Sequence, residues 1–231
     1  MVTPLESMIT VGAYGRSRTV LNRIGTVDET GMRQAGLAAM IGGTIFGANI
    51  LSYTIFGFEG ILADNVLRTS LNDAVLFVAW GLMLWGLLGV RSYGMGREYG
   101  RLWSAGIVTM GIGLALCTVG FFVEALAPLA GLMTLYEIGG MTIGIGVLTF
   151  VPLGAVVLGT ALFRTGAVSR LGAILMIAAG PSMLAAMFVG EMLPPLVGAA
   201  LFGAVLGAAW IVVGFELRTR PAETATEAVA A

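Results

Sequence analysis

The sequence contains no histidine, no lysine and a single cysteine. Without histidine there is no imidazole base, no common haem ligand and no common zinc ligand. Without lysine there is no Schiff base, which excludes a retinal pigment, and no ammonium for a phosphate-binding loop. Cys117 has no second thiol with which to form an intrachain disulfide, and in its apolar stretch it reads as a small buried hydrophobe. Charge is scarce too: 11% of the residues are charged, against about 25% in an ordinary soluble domain. The net charge of −1 gives no footprint for nucleic acid.

Apolar residues fill the space those absences leave, at 58% of 231 positions. A water-soluble fold could not cover such a core with so few polar side chains. The expectation is an all-α integral membrane bundle of about six transmembrane helices. The apolar stretches run from Ala35 to Phe58, Ala74 to Val90, Leu102 to Val123, Gly140 to Phe163, Leu171 to Gly190 and Leu196 to Phe215. Each is long enough, or nearly so, for a hydrocarbon core of about 30 Å. Met1 to Thr10 lacks the charged, apolar and small-residue order of a cleaved leader, so the first span is expected to serve as its own insertion signal.

All twelve basic residues are arginines, and their placement gives an independent test, because cytoplasmic loops near spans hold an excess of positive charge. With the N-terminus inside, eleven of the twelve fall on one side, before the first span, between the second and third, between the fourth and fifth, and after the sixth. Only Arg68 falls outside, whereas Glu59, Asp64, Asp73, Glu124, Glu137 and Glu191 collect on the opposite side. An odd number of spans would scramble that order. Both termini are therefore expected in the cytoplasm and the protein in the cell membrane, with lipids as its obligate surroundings. Three regions follow: a cytoplasmic segment over 1–33, the six-helix domain over 34–217 and a disordered tail over 218–231.

Two segments have the spacing of helices lying on the membrane surface. Val20, Leu21, Ile24 and Val27 form one stripe, with Arg16, Arg18 and Arg23 for anionic headgroups. Leu62, Val66, Leu67 and Leu71 form another, opposed by Asp64, Asn65 and Arg68. Tyr93, Tyr99 and Trp103 at one side and Tyr53 and Tyr136 at the other fit headgroup-level anchoring. The hairpin around Leu88-Gly89-Val90-Arg91-Ser92 resembles that around Ala161-Leu162-Phe163-Arg164-Thr165, a weak internal repeat.

Glycine is the loudest positive signal, with 35 residues. Gly43 with Gly47, Gly140 with Gly144, and Gly203 with Gly207 stand four apart inside spans, the spacing that lets membrane helices approach closely. Among polar groups, Asn49, Ser52 and Tyr53 form an intramembrane patch, read first as an interhelical hydrogen bond and second as a solute contact. Glu124 lies 23 residues beyond Arg101 and Glu191 lies 21 beyond Arg170, or about 35 and 32 Å of helix. Both acids therefore reach the outer rim, where with Glu137 they form a candidate cation-attracting mouth. Pro152 and Pro181 within spans are expected to bend their helices. The 13 methionines lack the ordered spacing of a soft-metal path and read as core filling.

The segments Gly159-Thr160-Ala161-Leu162-Phe163-Arg164-Thr165-Gly166 and Ser169-Arg170-Leu171-Gly172 resemble those of small, uncharacterised multi-pass membrane proteins of prokaryotes. That resemblance implies architecture and no functional residue. No catalytic residue, metal ligand set or cofactor is expected, so an enzyme is the lesser reading. The leading expectation is a non-enzymatic scaffold or the membrane subunit of a larger assembly, with other subunits or further copies of itself as partners. The alternative is a small secondary transporter or cation-responsive channel with an acidic outer mouth.

Overall fold

The computed structural model describes residues 29–56, 66–94, 100–189 and 192–219, which form helices joined by short turns, with no strand among them. The helices are α1 (Glu29–Phe56), α2 (Val66–Gly94), α3 (Gly100–Leu126), α4 (Met133–Thr165), α5 (Arg170–Val189) and α6 (Leu196–Thr219). All six are long and apolar enough to cross a membrane, compatible with a multi-pass membrane protein. The interfacial stripe at 20–27 and the tail beyond 219 lie outside the described residues.

These helices have no polar side because their outer faces are apolar as well as their inner ones. Trp85, Val108, Phe122, Met141, Leu153 and Phe163 are all between 47% and 68% exposed. The faces turned inward instead carry glycine, alanine and a few large residues, the pattern expected when lipid rather than water surrounds the bundle.

Each helix packs antiparallel on its sequence neighbours, and α6 closes back onto α1, so the six form a ring. Glycine makes the closure. Gly36, Gly43 and Gly47 of α1 face Gly214, Gly207 and Gly203 of α6, the same intervals read in opposite directions. A Cβ on Gly43 would stand 2.6 Å from the Gly207 carbonyl oxygen, and one on Gly207 would stand 2.6 Å from that of Gly43. Backbone meets backbone there, and no side chain can stand between them. Across the ring α3 and α4 use the same device at Gly106, Gly113, Gly120 and Gly154, against the backbones of Leu158, Val151, Gly139 and Met110.

Two of the helices are locally wider than an α-helix. In α4 a π-helical turn at Gly146–Phe150 bonds the Val151 N–H to the Gly146 carbonyl, and in α6 a second at Ala200–Ala204 bonds the Val205 N–H to the Ala200 carbonyl. The first has an evident cause, since Pro152 stands two residues beyond its end and its ring would press on the carbonyl of Leu148 in a regular turn. Pro181 lies inside α5, and the adjacent Gly180 lets α5 settle on the Pro152 carbonyl. Both prolines thus belong to one helix–helix contact.

The antiparallel ring brings Arg33, Arg91, Arg101, Arg164, Arg170 and Arg218 to one end, here termed the arginine end. There α4 stops at Gly166 in the left-handed region (φ 63°). The next helix, α5, is capped twice: Ser169 Oγ accepts the Gly172 N–H at 3.2 Å, and the Ser169 N–H donates to the Glu216 carboxylate of α6. Glu216 is a long-range partner in what is usually a local capping pair. Glu216→Ala is expected to destabilise the bundle by about 1–2 kcal/mol, by loss of a charge-assisted bond, and Glu216→Gln by less. Denaturation in mixed micelles measures both. Trp103, expected at headgroup level, is instead buried, its indole filling the space that Gly94 leaves in the α2–α3 hairpin.

Of the second stripe, Leu62, Asp64 and Asn65 lie outside the described residues, while Val66, Leu67, Arg68 and Leu71 belong to the first turns of α2, continuous to Gly94, and not to a separate surface helix. The polar residues that suggested a boundary at Ala74 are accommodated because Asp73 is turned inward.

A cavity at the carboxylate end as candidate functional site

At the end opposite the arginines, side chains from α1 and α2 form a buried polar layer. Asn49 Nδ2 donates to Asn72 Oδ1 at 2.9 Å, joining the two helices, and Asn72 Nδ2 reaches Asp73 Oδ1 at 3.4 Å. Ser52 Oγ donates to the Asn49 carbonyl at 2.8 Å. Asp73 is only 6% exposed, and its second oxygen, like Asn49 Oδ1 and Ser70 Oγ, has no hydrogen-bond partner among the described residues. Eighteen residues separate Asp73 from Arg91, or about 27 Å of helix, so this layer lies just within the hydrocarbon edge.

Glu124 comes to the same level from α3. It is half-buried and stands close enough to Asp73 for the two carboxylates to repel one another. Room for it is made by α4. A Cβ on Gly139 would fall 2.8 Å from Glu124 Cγ, and one on Gly140 would fall 3.0 Å from Oε1.

Beside Glu124 lies a partly open cavity of about 250 Å³ to which all six helices contribute. Its wall is carbon except at Glu124. Phe46, Trp80 and Phe202 meet at its deep end, with Phe46 and Trp80 edge to face at 4.9 Å and Phe46 and Phe202 at 6.1 Å. Toward the arginine end the interior is solid: Met83, Met110, Met183, Leu206 and Trp210 are fully buried in successive layers. The π turns of α4 and α6 both face the cavity, through Val147 and Phe202 respectively. Such turns place a side chain where a regular helix would not, and they recur at functional sites.

The residues expected from sequence distribute unevenly around this site. Glu124 lines the cavity, Glu137 is exposed on α4 and is not among its lining residues, and Glu191 lies outside the described residues. Asn49 and Ser52 belong to the polar layer, while nothing is described of the Tyr53 side chain. Gly43 and Gly207 are at the ring closure, with Gly47 and Gly203 facing each other more loosely. Gly140 and Gly144 instead line the cavity, and a Cβ on Gly144 would meet nothing within 4 Å. Asp73 is the residue that sequence reasoning passed over as one more rim acid. The polar pair Asn72-Asp73 between Leu71 and a long apolar run was the available signal.

Comparison with protein-family models, curated proteins and solved structures finds no match to this chain. The function is therefore read from the site itself.

Proposed function

We propose that this protein is a non-enzymatic solute-binding protein of the cell membrane, built as a small secondary carrier whose binding site is the cavity beside Glu124. One observation carries this reading: a partly open cavity of about 250 Å³ touched by all six helices, with π-helical turns on two of them. Ligand pockets are mostly apolar with a small number of placed polar groups, and this one has a single carboxylate in a carbon wall. The fully buried Met83, Met110, Met183, Leu206 and Trp210 between the cavity and the arginine end favour a carrier over a channel. Arginine placement supports the arginine end, and both termini, facing the cytoplasm.

The test is saturable binding to protein in lipid nanodiscs, using benzyltrimethylammonium, benzenesulfonate and benzyl alcohol as small probes of different charge. At least one should bind at one site per chain, and Gly144→Leu, which fills the cavity without touching the ring closure, should abolish it. No saturable binding by any of the three would end the proposal.

A further inference from the structure

Resting on the solute-site reading above, we infer that the cavity takes a small organic cation, with its positive nitrogen at Glu124 and its apolar part on Phe46, Trp80 and Phe202. The first ground is the sign of the charge around the site. Arg68 is the one basic residue of the sequence between Arg33 and Arg91, and it is exposed; none at all occurs between Arg101 and Arg164 or between Arg170 and Arg218. Glu124 stands in an apolar wall and feels the negative charge of Asp73. A carboxylate held in low dielectric beside a second one is stabilised by a positive guest and opposed by a negative one.

The second ground is the wall. Three rings meet at the deep end of the cavity, an apolar surface for the hydrocarbon part of a guest whose charged nitrogen stays at Glu124. A bare metal ion fits this wall poorly: hard cations require about six or more oxygen ligands, and the lining offers the Glu124 carboxylate amid carbon. An organic cation brings its own apolar cover. A neutral apolar guest would fill the same space but leave the carboxylate without a counter-charge. The buried Asp73, with an oxygen unpartnered among the described residues, adds negative field at the same level without lining the cavity itself.

The decisive comparison uses two molecules of nearly the same shape, benzyltrimethylammonium and its uncharged carbon analogue neopentylbenzene, binding to the wild-type protein in nanodiscs. The cation should bind about tenfold tighter or more, the gap expected when ion pairing with Glu124 adds to equal burial. Glu124→Gln should shrink that gap, and Gly144→Leu should remove binding of both. Equal affinities, or a preference for benzenesulfonate, with Gly144→Leu still blocking, would overturn the cation inference and leave the solute site standing. Failure of every probe to bind would overturn both. Because the comparison of the two molecules is made on the unaltered chain, it does not depend on any variant folding.

Discussion

Gly207→Leu is expected to prevent the ring from closing, with a loss of stability of at least about 3 kcal/mol, at the upper end of what overpacking costs. Its Cβ would stand 2.6 Å from the Gly43 carbonyl oxygen and 3.3 Å from the Gly47 Cα, so only movement of a whole helix could relieve it. Helix propensity acts the other way, since glycine is about 1 kcal/mol worse than alanine in a helix interior. Gly207→Ala therefore separates the effects: net destabilisation means that sterics win. Gly144→Leu is the matched control, because a Cβ there meets nothing within 4 Å, and it should change stability by less than about 1 kcal/mol. Reversible denaturation in mixed micelles ranks the three. A Gly207→Leu protein as stable as the wild type would mean that α1 and α6 do not meet as described.

Trp80→Ala should be nearly as damaging and should also alter the site. Trp80 is 1% exposed and makes the edge-to-face contact with Phe46 at the deep end of the cavity. Truncating so large a buried side chain costs about 3–5 kcal/mol, through lost burial and the space left behind. Trp80→Phe keeps a ring in place and removes an indole N–H that has no partner among the described residues. It should therefore cost less than half as much. In binding assays Trp80→Ala should admit bulkier probes than the wild type, because the space it opens is continuous with the cavity. A variant stable to within 1 kcal/mol, with unchanged size selectivity, would remove Trp80 from the floor.

The helical class and the six spans were legible because lipid imposes long apolar runs, and because arginines sort to one end whatever the packing. Span ends were less so. Asn72 and Asp73 made α2 seem to begin at Ala74, yet it starts at Val66, since a polar pair facing other helices does not interrupt a span. Likewise α4 starts at Met133, so that Glu137 lies within the helix on an exposed face. Four-residue glycine spacing identified small positions without distinguishing two uses of them. At Gly43 and Gly207 the missing side chain admits a backbone, whereas at Gly140 it admits the Glu124 carboxylate. Which use applies depends on the partner helix, and that information is not local. The same holds for Glu216, whose bond to the Ser169 N–H joins positions far apart in the chain. The cavity itself was not legible, because its wall draws on all six helices and on two π turns, and the one at Ala200–Ala204 has no proline within it to announce it.

The most direct test is side-resolved thiol labelling of Gly144→Cys in a Cys117→Ser background, using a membrane-impermeant, positively charged methanethiosulfonate. Gly144 lines the cavity, and its neighbour Ile145 is 54% exposed on the outer face of the same helix. Reagent added at the carboxylate end should modify Gly144→Cys, reagent added at the arginine end should do so far more slowly, and Ile145→Cys, facing lipid, should resist from both. Equal modification of Gly144→Cys from the two sides, or easier labelling of Ile145→Cys, would contradict a cavity that opens at one end of a membrane-embedded ring.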